Sequence, residues 1–286
     1  MILPDFILRF RVNALWQFSG IDSIESCRDK KHFKNYPHRV EYAYNSRGFR
    51  DQEWPESTEE LKNAIWCIGD SFTVGLGSPL EHTWPYLLQQ QTGRRCINVS
   101  MDGASNEWIA RKGISLLNII SPDIIIAHWS YTHRREITNA QITELKWPDF
   151  YNNIKDPAWP VCNSFDDFDK LPDRIQLEIK HVHDIGVLTR HDEERRIEVS
   201  NATAEDDNIS TLSSIAALAG ACISTKLVHS FVPKFCRADL EHQFLSEFNS
   251  IADYVKYSQI DTARDGHHYD ILTAQSFVDK LVEQIC

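Results

Sequence analysis

Ser71 stands where an apolar run, Ile65-Trp66-Cys67-Ile68, gives way to Gly69-Asp70-Ser71-Phe72-Thr73, with Gly75 and Gly77 just beyond. A serine just past the end of a buried strand faces a crevice at the carboxyl edge of a sheet. Its hydroxyl becomes a nucleophile only when a base takes its proton and an acid orients that base. An Asp-Ser step also satisfies an ordinary turn, so the chemistry depends on partners elsewhere. Candidates stand just before the final helix, in Arg264-Asp265-Gly266-His267-His268-Tyr269-Asp270. Asp265 and His268 are three apart across a glycine. That spacing lets a loop bring the carboxylate to one imidazole nitrogen while the other points outwards. The bland reading of the same stretch is a polar helix entry with Tyr269 or Asp270 near the cap. Paired histidines also raise a metal site, but adjacent histidines diverge and no carboxylate-rich partner set accompanies them. No metal and no cofactor are expected.

The elements that must hold these residues follow an alternating rhythm. After the Ser71 strand, Thr83 to Gln91 reads as a short helix with Thr83 as N-cap and Gly93 as stop. Cys96 to Ser100 is a second strand. Gly103-Ala104-Ser105-Asn106 opens a helix running to about Ile120, capped by Ser105 or Asn106 and ended by Pro122. Asp123 to Trp129 is a third strand, and its unbroken apolar run suits a sheet covered on both faces. Ile209 to Ile223 reads as a helix, Lys226 to Val232 as a fourth strand, and Ile271 to Ile285 as the last helix, with one apolar face. Strands alternating with helices at this spacing predict right-handed crossovers and a parallel sheet. Residues 1–60 read as an aromatic-rich N-terminal extension with a short strand at Tyr42-Ala43-Tyr44 and a tight turn at Gly48. Residues 134–206 break the rhythm and read as an insertion, part helix around Asp173 to Ile185, with a charged cluster from Arg190 to Glu198. The expectation is one domain, 1–286, carrying that extension and that insertion.

Composition narrows the function classes. A net charge of -11 and the lack of a basic stripe argue against a nucleic-acid partner. Seven widely spaced cysteines, with no Cys-x-x-Cys, favour reduced thiols over a disulfide frame or a zinc site. The start, Met1 to Arg11, is interrupted by Asp5 and two arginines and does not read as a secretory signal. No run approaches the roughly 20 apolar residues that span a bilayer, so no integral membrane association is expected. The expected location is the cytoplasm, with a larger particle such as a phage virion as the alternative.

Taken together, Gly69-Asp70-Ser71-Phe72-Thr73, Gly103 after the second strand and Asp265-Gly266-His267-His268 before the last helix resemble the SGNH/GDSL hydrolase family in order and placement. The resemblance covers residues 63–132 and 224–286. Asn45 to Arg50 is also similar to a segment that often precedes the serine block in bacterial and phage members. The resemblance implies a flavodoxin-like three-layer α/β/α sandwich, with Ser71 as nucleophile and Asp265 and His268 completing a triad. It also implies an oxyanion hole from the backbone N–H of Ser71, the backbone N–H of Gly103 and the side-chain amide of a third-block asparagine. Here the sequence departs from the pattern. Where the family shows Gly-x-Asn-Asp, this chain has His128-Trp129-Ser130-Tyr131-Thr132-His133-Arg134. Loss of one such donor typically costs about 3–4 kcal/mol of transition-state stabilisation. Either Ser130, Tyr131, His133 or Arg134 from the same turn, or Asn106 near Gly103, substitutes, or the protein is slow or inactive. The implied function is ester cleavage through an acyl-enzyme, with O-acyl (acetyl) groups on carbohydrate as the implied substrate. The alternatives are O-acyl transfer on the same three residues, or a catalytically weak carbohydrate-binding or structural component.

Overall fold

The computed structural model describes residues 6–8, 11–19, 21–134, 161, 167, 170–171, 203–233, 238–248 and 253–286. Among them the apolar runs become strands of one parallel sheet: β3 (Ile65–Gly69), β4 (Cys96–Ser100), β5 (Ile124–Trp129), β6 (Lys226–Phe231) and β7 (Asp253–Tyr254). A separate antiparallel pair, β1 (Leu15–Trp16) and β2 (Tyr42–Ala43), precedes it. The sheet order is β4-β3-β5-β6-β7. Counted within the sheet this is 2-1-3-4-5, the flavodoxin-like order, whose switch point lies between β3 and its two neighbours.

Both faces are covered, which is why β3 and β5 are almost wholly apolar and buried at every residue. Side chains alternate between two cores, as strand geometry requires. Trp66, Ile68, Ile125 and Ala127 face one core, and Ile65, Cys67, Ile124 and Ile126 face the other. The first core is closed by α6 (Asn106–Ile119), α7 (Ala204–Ala221) and α8 (Ala238–Phe248). The second is closed by α5 (Trp84–Thr92) and α9 (Ile271–Ile285). The expected three-layer α/β/α arrangement is present. The shorter helices are α1 (Ile24–Cys27), α2 (Lys31–Asn35), α3 (Thr58–Asn63) and α4 (Ser71–Val74).

Several details differ from expectation. Thr83 occupies the N-cap position of α5, but its side chain caps nothing and its hydroxyl donates to Leu80 O at 2.8 Å instead. Helix α7 begins at Ala204 rather than Ile209, because Thr203 and Asp206 form a reciprocal capping box. The sheet has a fifth strand, β7, reached through α8; neither element was expected. Expected features at Asp173 to Ile185 and Arg190 to Glu198, and most of the proposed insertion, lie outside the described residues. No helix among the described residues is long and apolar enough to cross a membrane.

Candidate active site

The nucleophile turn is built by three consecutive residues. Gly69 ends β3 where a Cβ would lie 2.1 Å from Thr73 Oγ1, so only glycine lets α4 fold back this tightly. Asp70 is the N-cap of α4 and accepts from Phe72 N–H at 3.0 Å. Ser71 is then the first helical residue, 2% exposed, at the carboxyl edge of the sheet.

Asp265 and His268 arrive on the loop between β7 and α9. Gly266, at φ +71°, supplies the left-handed turn that folds this loop back on itself. Asp265 Oδ1 accepts from the backbone N–H of His267 at 2.8 Å and of His268 at 3.0 Å, while Oδ2 lies 2.5 Å from His268 Nδ1. The other ring nitrogen, Nε2, lies 2.8 Å from Ser71 Oγ. Burial works to raise the carboxyl pKa of Asp265. The His268 contact and the two backbone donors outweigh it, so the group is held below its ordinary range and stays ionised. Phe72 packs its ring 4.5 Å from that of His268. Residues 197 positions apart thus meet in one hydrogen-bonded row, Ser71–His268–Asp265.

Gly103 follows β4 at φ +79°, with open space where a Cβ would stand. Neither its N–H nor that of Ser71 donates to an acceptor among the described residues. The five residues weighed as a third donor make the following contacts around the turn after β5. Asn106 commits its amide to holding that turn: Oδ1 accepts from Ser130 N–H at 2.8 Å, and Nδ2 donates to Thr211 Oγ1 at 3.1 Å and Ser130 O at 3.4 Å. Ser130 donates its hydroxyl to Asp70 Oδ2 at 2.6 Å. Arg134 Nη1 donates to the same oxygen at 2.9 Å, to Ser130 Oγ at 2.7 Å and to Ala104 O at 3.3 Å. Tyr131 bonds His267 Nε2 at 2.7 Å, and His133 meets the Tyr131 ring edge-on at 5.4 Å. These contacts gather on Asp70 and His267, flanking the Ser71–His268 pair.

Sequence reasoning missed Asp70, a fully buried carboxylate that ties the serine turn to the turn after β5. It also missed His128, which bonds Thr73 Oγ1 through Nδ1 at 3.1 Å and Tyr257 OH through Nε2 at 2.7 Å beneath α4. A polar residue inside the apolar run of β5 was the available signal.

Fold and site together define an α/β protein with a Ser–His–Asp row at the switch-point edge of a flavodoxin-ordered sheet. No family profile matches the chain, and no curated protein matches it in sequence. Among solved structures it is similar to a carbohydrate acetylesterase family member from Sinorhizobium meliloti, with 15% identity, 78% of this chain and 97% of that one covered, and a TM-score of 0.36. It is also similar to a GDSL-like lipase from Bacteroides thetaiotaomicron, with 11% identity, 81% and 91% covered, and a TM-score of 0.40. A family 3 carbohydrate esterase from Clostridium thermocellum shares 12% identity over 77% and 94% of the two chains, with a TM-score of 0.38.

Proposed function

We propose that this protein is a serine esterase that works through an acyl-enzyme. The observation that carries the reading is the continuous row from Ser71 Oγ through both His268 nitrogens to Asp265, with contacts of 2.8 and 2.5 Å. Ser71 Oγ attacks the ester carbonyl while His268 Nε2 takes its proton. Asp265 holds the Nδ1 proton and stabilises the imidazolium. The C–O bond to the alcohol then breaks, and His268 returns the proton to the leaving oxygen. Water repeats the sequence to release the acid and restore Ser71. The N–H groups of Ser71 and Gly103 stabilise the oxyanion.

Small acyl groups, acetyl above all, on carbohydrate hydroxyls are the substrate class that the serine, glycine and Asp–His blocks imply by resemblance. Turnover of p-nitrophenyl acetate and of acetylated sugars tests the reading. Wild-type protein should release acetate and Ser71→Ala should not; equal turnover in both sinks it. If an added sugar takes up the acyl group in preference to water, the same row serves transfer rather than hydrolysis.

One observation favours a second reading, a catalytically weak carbohydrate-binding component. Ser130 and Arg134, in the turn that should supply a third oxyanion donor, both donate to Asp70. A fluorophosphonate that fails to label Ser71, together with measurable glycan binding, selects it over the esterase.

A further inference from the structure

Two of the three groups in the row ride on one loop of irregular backbone, so something must fix that loop against Ser71 to within a fraction of an ångström. The segment before β3 contributes to this through a buried carboxylate. Asp22, wholly inaccessible, receives Arg264 through Nη2 at 2.6 Å and Nε at 3.0 Å. Arg264 immediately precedes Asp265. Its guanidinium lies 5.1 and 5.2 Å from the ring centres of Phe18 and Phe33, which stack on each other. The Oδ2 that receives Nη2 also accepts from Tyr42 OH at 2.5 Å, and the same phenol oxygen accepts from Gly77 N–H at 2.8 Å. Gly77 belongs to the turn leaving α4, whose first residue is Ser71. Its carbonyl accepts from Arg264 N–H at 3.0 Å, and a Cβ on it would lie 2.8 Å from Ala263 Cβ. One carboxylate is therefore bonded to the His268 loop through Arg264 and to the Ser71 turn through Tyr42 and Gly77.

We propose that Asp22, with Arg264 and Tyr42, is the positioning device that sets the Ser71–His268 distance, so that the segment before β3 is part of the catalytic apparatus without touching substrate. This deepens the esterase reading and rests on it. A bidentate carboxylate–guanidinium pair fixes direction as well as distance. A 1 Å misplacement of a reacting pair can lower rate about 100-fold. An ammonium in place of the guanidinium keeps the charge and loses the fork.

The test compares wild type with Asp22→Asn, Arg264→Lys and Tyr42→Phe, the last being the gentlest because it leaves the Asp22–Arg264 pair intact. Two quantities are read at a temperature where circular dichroism reports each variant folded. One is the rate of Ser71 labelling by a fluorophosphonate; the other is the downfield proton resonance of His268 Nδ1–H. We expect labelling to fall about 100-fold in Asp22→Asn and about 10-fold in Arg264→Lys and Tyr42→Phe. The downfield resonance should shift or broaden in the same order. Folded variants that label at the wild-type rate with an unmoved resonance overturn the proposal, whatever their melting temperatures. Wild type that resists labelling counts against the esterase reading instead, and the resonance then decides the positioning role by itself.

Discussion

At Asp265 the chemistry depends on which imidazole nitrogen holds the proton. The ionised carboxylate accepts from Nδ1–H, so Nε2 faces Ser71 as an acceptor. Asp265→Asn keeps the shape but turns an amide donor towards Nδ1, which moves the ring proton to Nε2. Esterase kcat should fall about 10⁴-fold with little change in KM, measured on p-nitrophenyl acetate. Asp70 presents a different problem, a buried carboxylate whose partners are Arg134, Ser130 and the N–H of Phe72. Arg134→Ala removes the only charged partner among those three. Removing a charged hydrogen-bond partner from such a group costs about 2–3 kcal/mol, which urea unfolding should register, whereas Arg134→Lys should lose less than half of that. Ser71, Asp265 and His268 were legible as candidates because the blocks that carry them stand in glycine-bearing turns at the ends of apolar elements. Asp70 was not, since an acid next to a serine reads as turn chemistry until the distant Arg134 is placed against it. The arginine's sequence neighbours, Arg135 and Glu136, suggest a surface pair and hide that role.

The elements that were legible are those whose own periodicity decides them. Strands β3 and β5 are short, mostly apolar runs between turn signals, β4 sets Cys96, Ile97 and Val99 among polar Asn98 and Ser100, and α9 carries one continuous apolar face. Helix α8 went unread although Leu240, Phe244 and Phe248 repeat every four residues and are buried. Strand β7 has two residues, too few for any alternation, and exists because β6 offers it an edge. Between β1 and β2 only the strand at Tyr42 was legible, for another reason: aromatic and charged residues here, such as Asp22, Phe18 and Phe33, contact Arg264, more than 200 positions away. The turn at Gly77 shows how one backbone position serves both halves of the site. Its φ of +79° already disfavours a side chain, and a Cβ would lie 2.8 Å from Ala263 Cβ and 3.2 Å from Asp265 Cγ. Gly77→Ala should therefore lower stability by about 1–3 kcal/mol. It should also push the Asp265 loop outward, with kcat falling about 100-fold in the folded fraction. A thermal melt and a kcat measurement on the same preparation separate the two effects.

Across the whole molecule, the sheet carries two neutral histidines in places where charge is strongly disfavoured. His128 on β5 faces the core beneath α4, and burial pushes its pKa down to about 4 although the nearby Asp70 works to raise it. His229 on β6 lies against the other core, stacked on Trp129, whose indole N–H donates to Nδ1 at 2.8 Å. Burial lowers its pKa to about 3, and its Nε2 has no partner among the described residues. Both are depressed from about 6.5, so below that pH the unfolded chain binds protons that the folded chain refuses. Stability is full above pH 6.5 and falls steadily as the pH drops towards 4. At pH 5 each histidine contributes a loss of about 2 kcal/mol relative to pH 7, or about 4 kcal/mol together. Asp51 acts in the opposite sense. Burial raises its carboxyl to about 6 against the pull of Arg95. Acidification from pH 7 to 5 therefore favours the folded state by about 1 kcal/mol there. Asp265, held below its ordinary range, is ionised in both states at pH 5 and scarcely enters. The histidines win, and the net loss should be about 3 kcal/mol, seen as a falling urea midpoint between pH 7 and 5. His229→Asn keeps an acceptor for Trp129 without an ionisable ring, so its stability should fall by only about 1 kcal/mol over that interval, the loss of about 2 kcal/mol at His128 less the gain of about 1 kcal/mol at Asp51. An unchanged pH slope in that variant would place the acid sensitivity elsewhere than at His229.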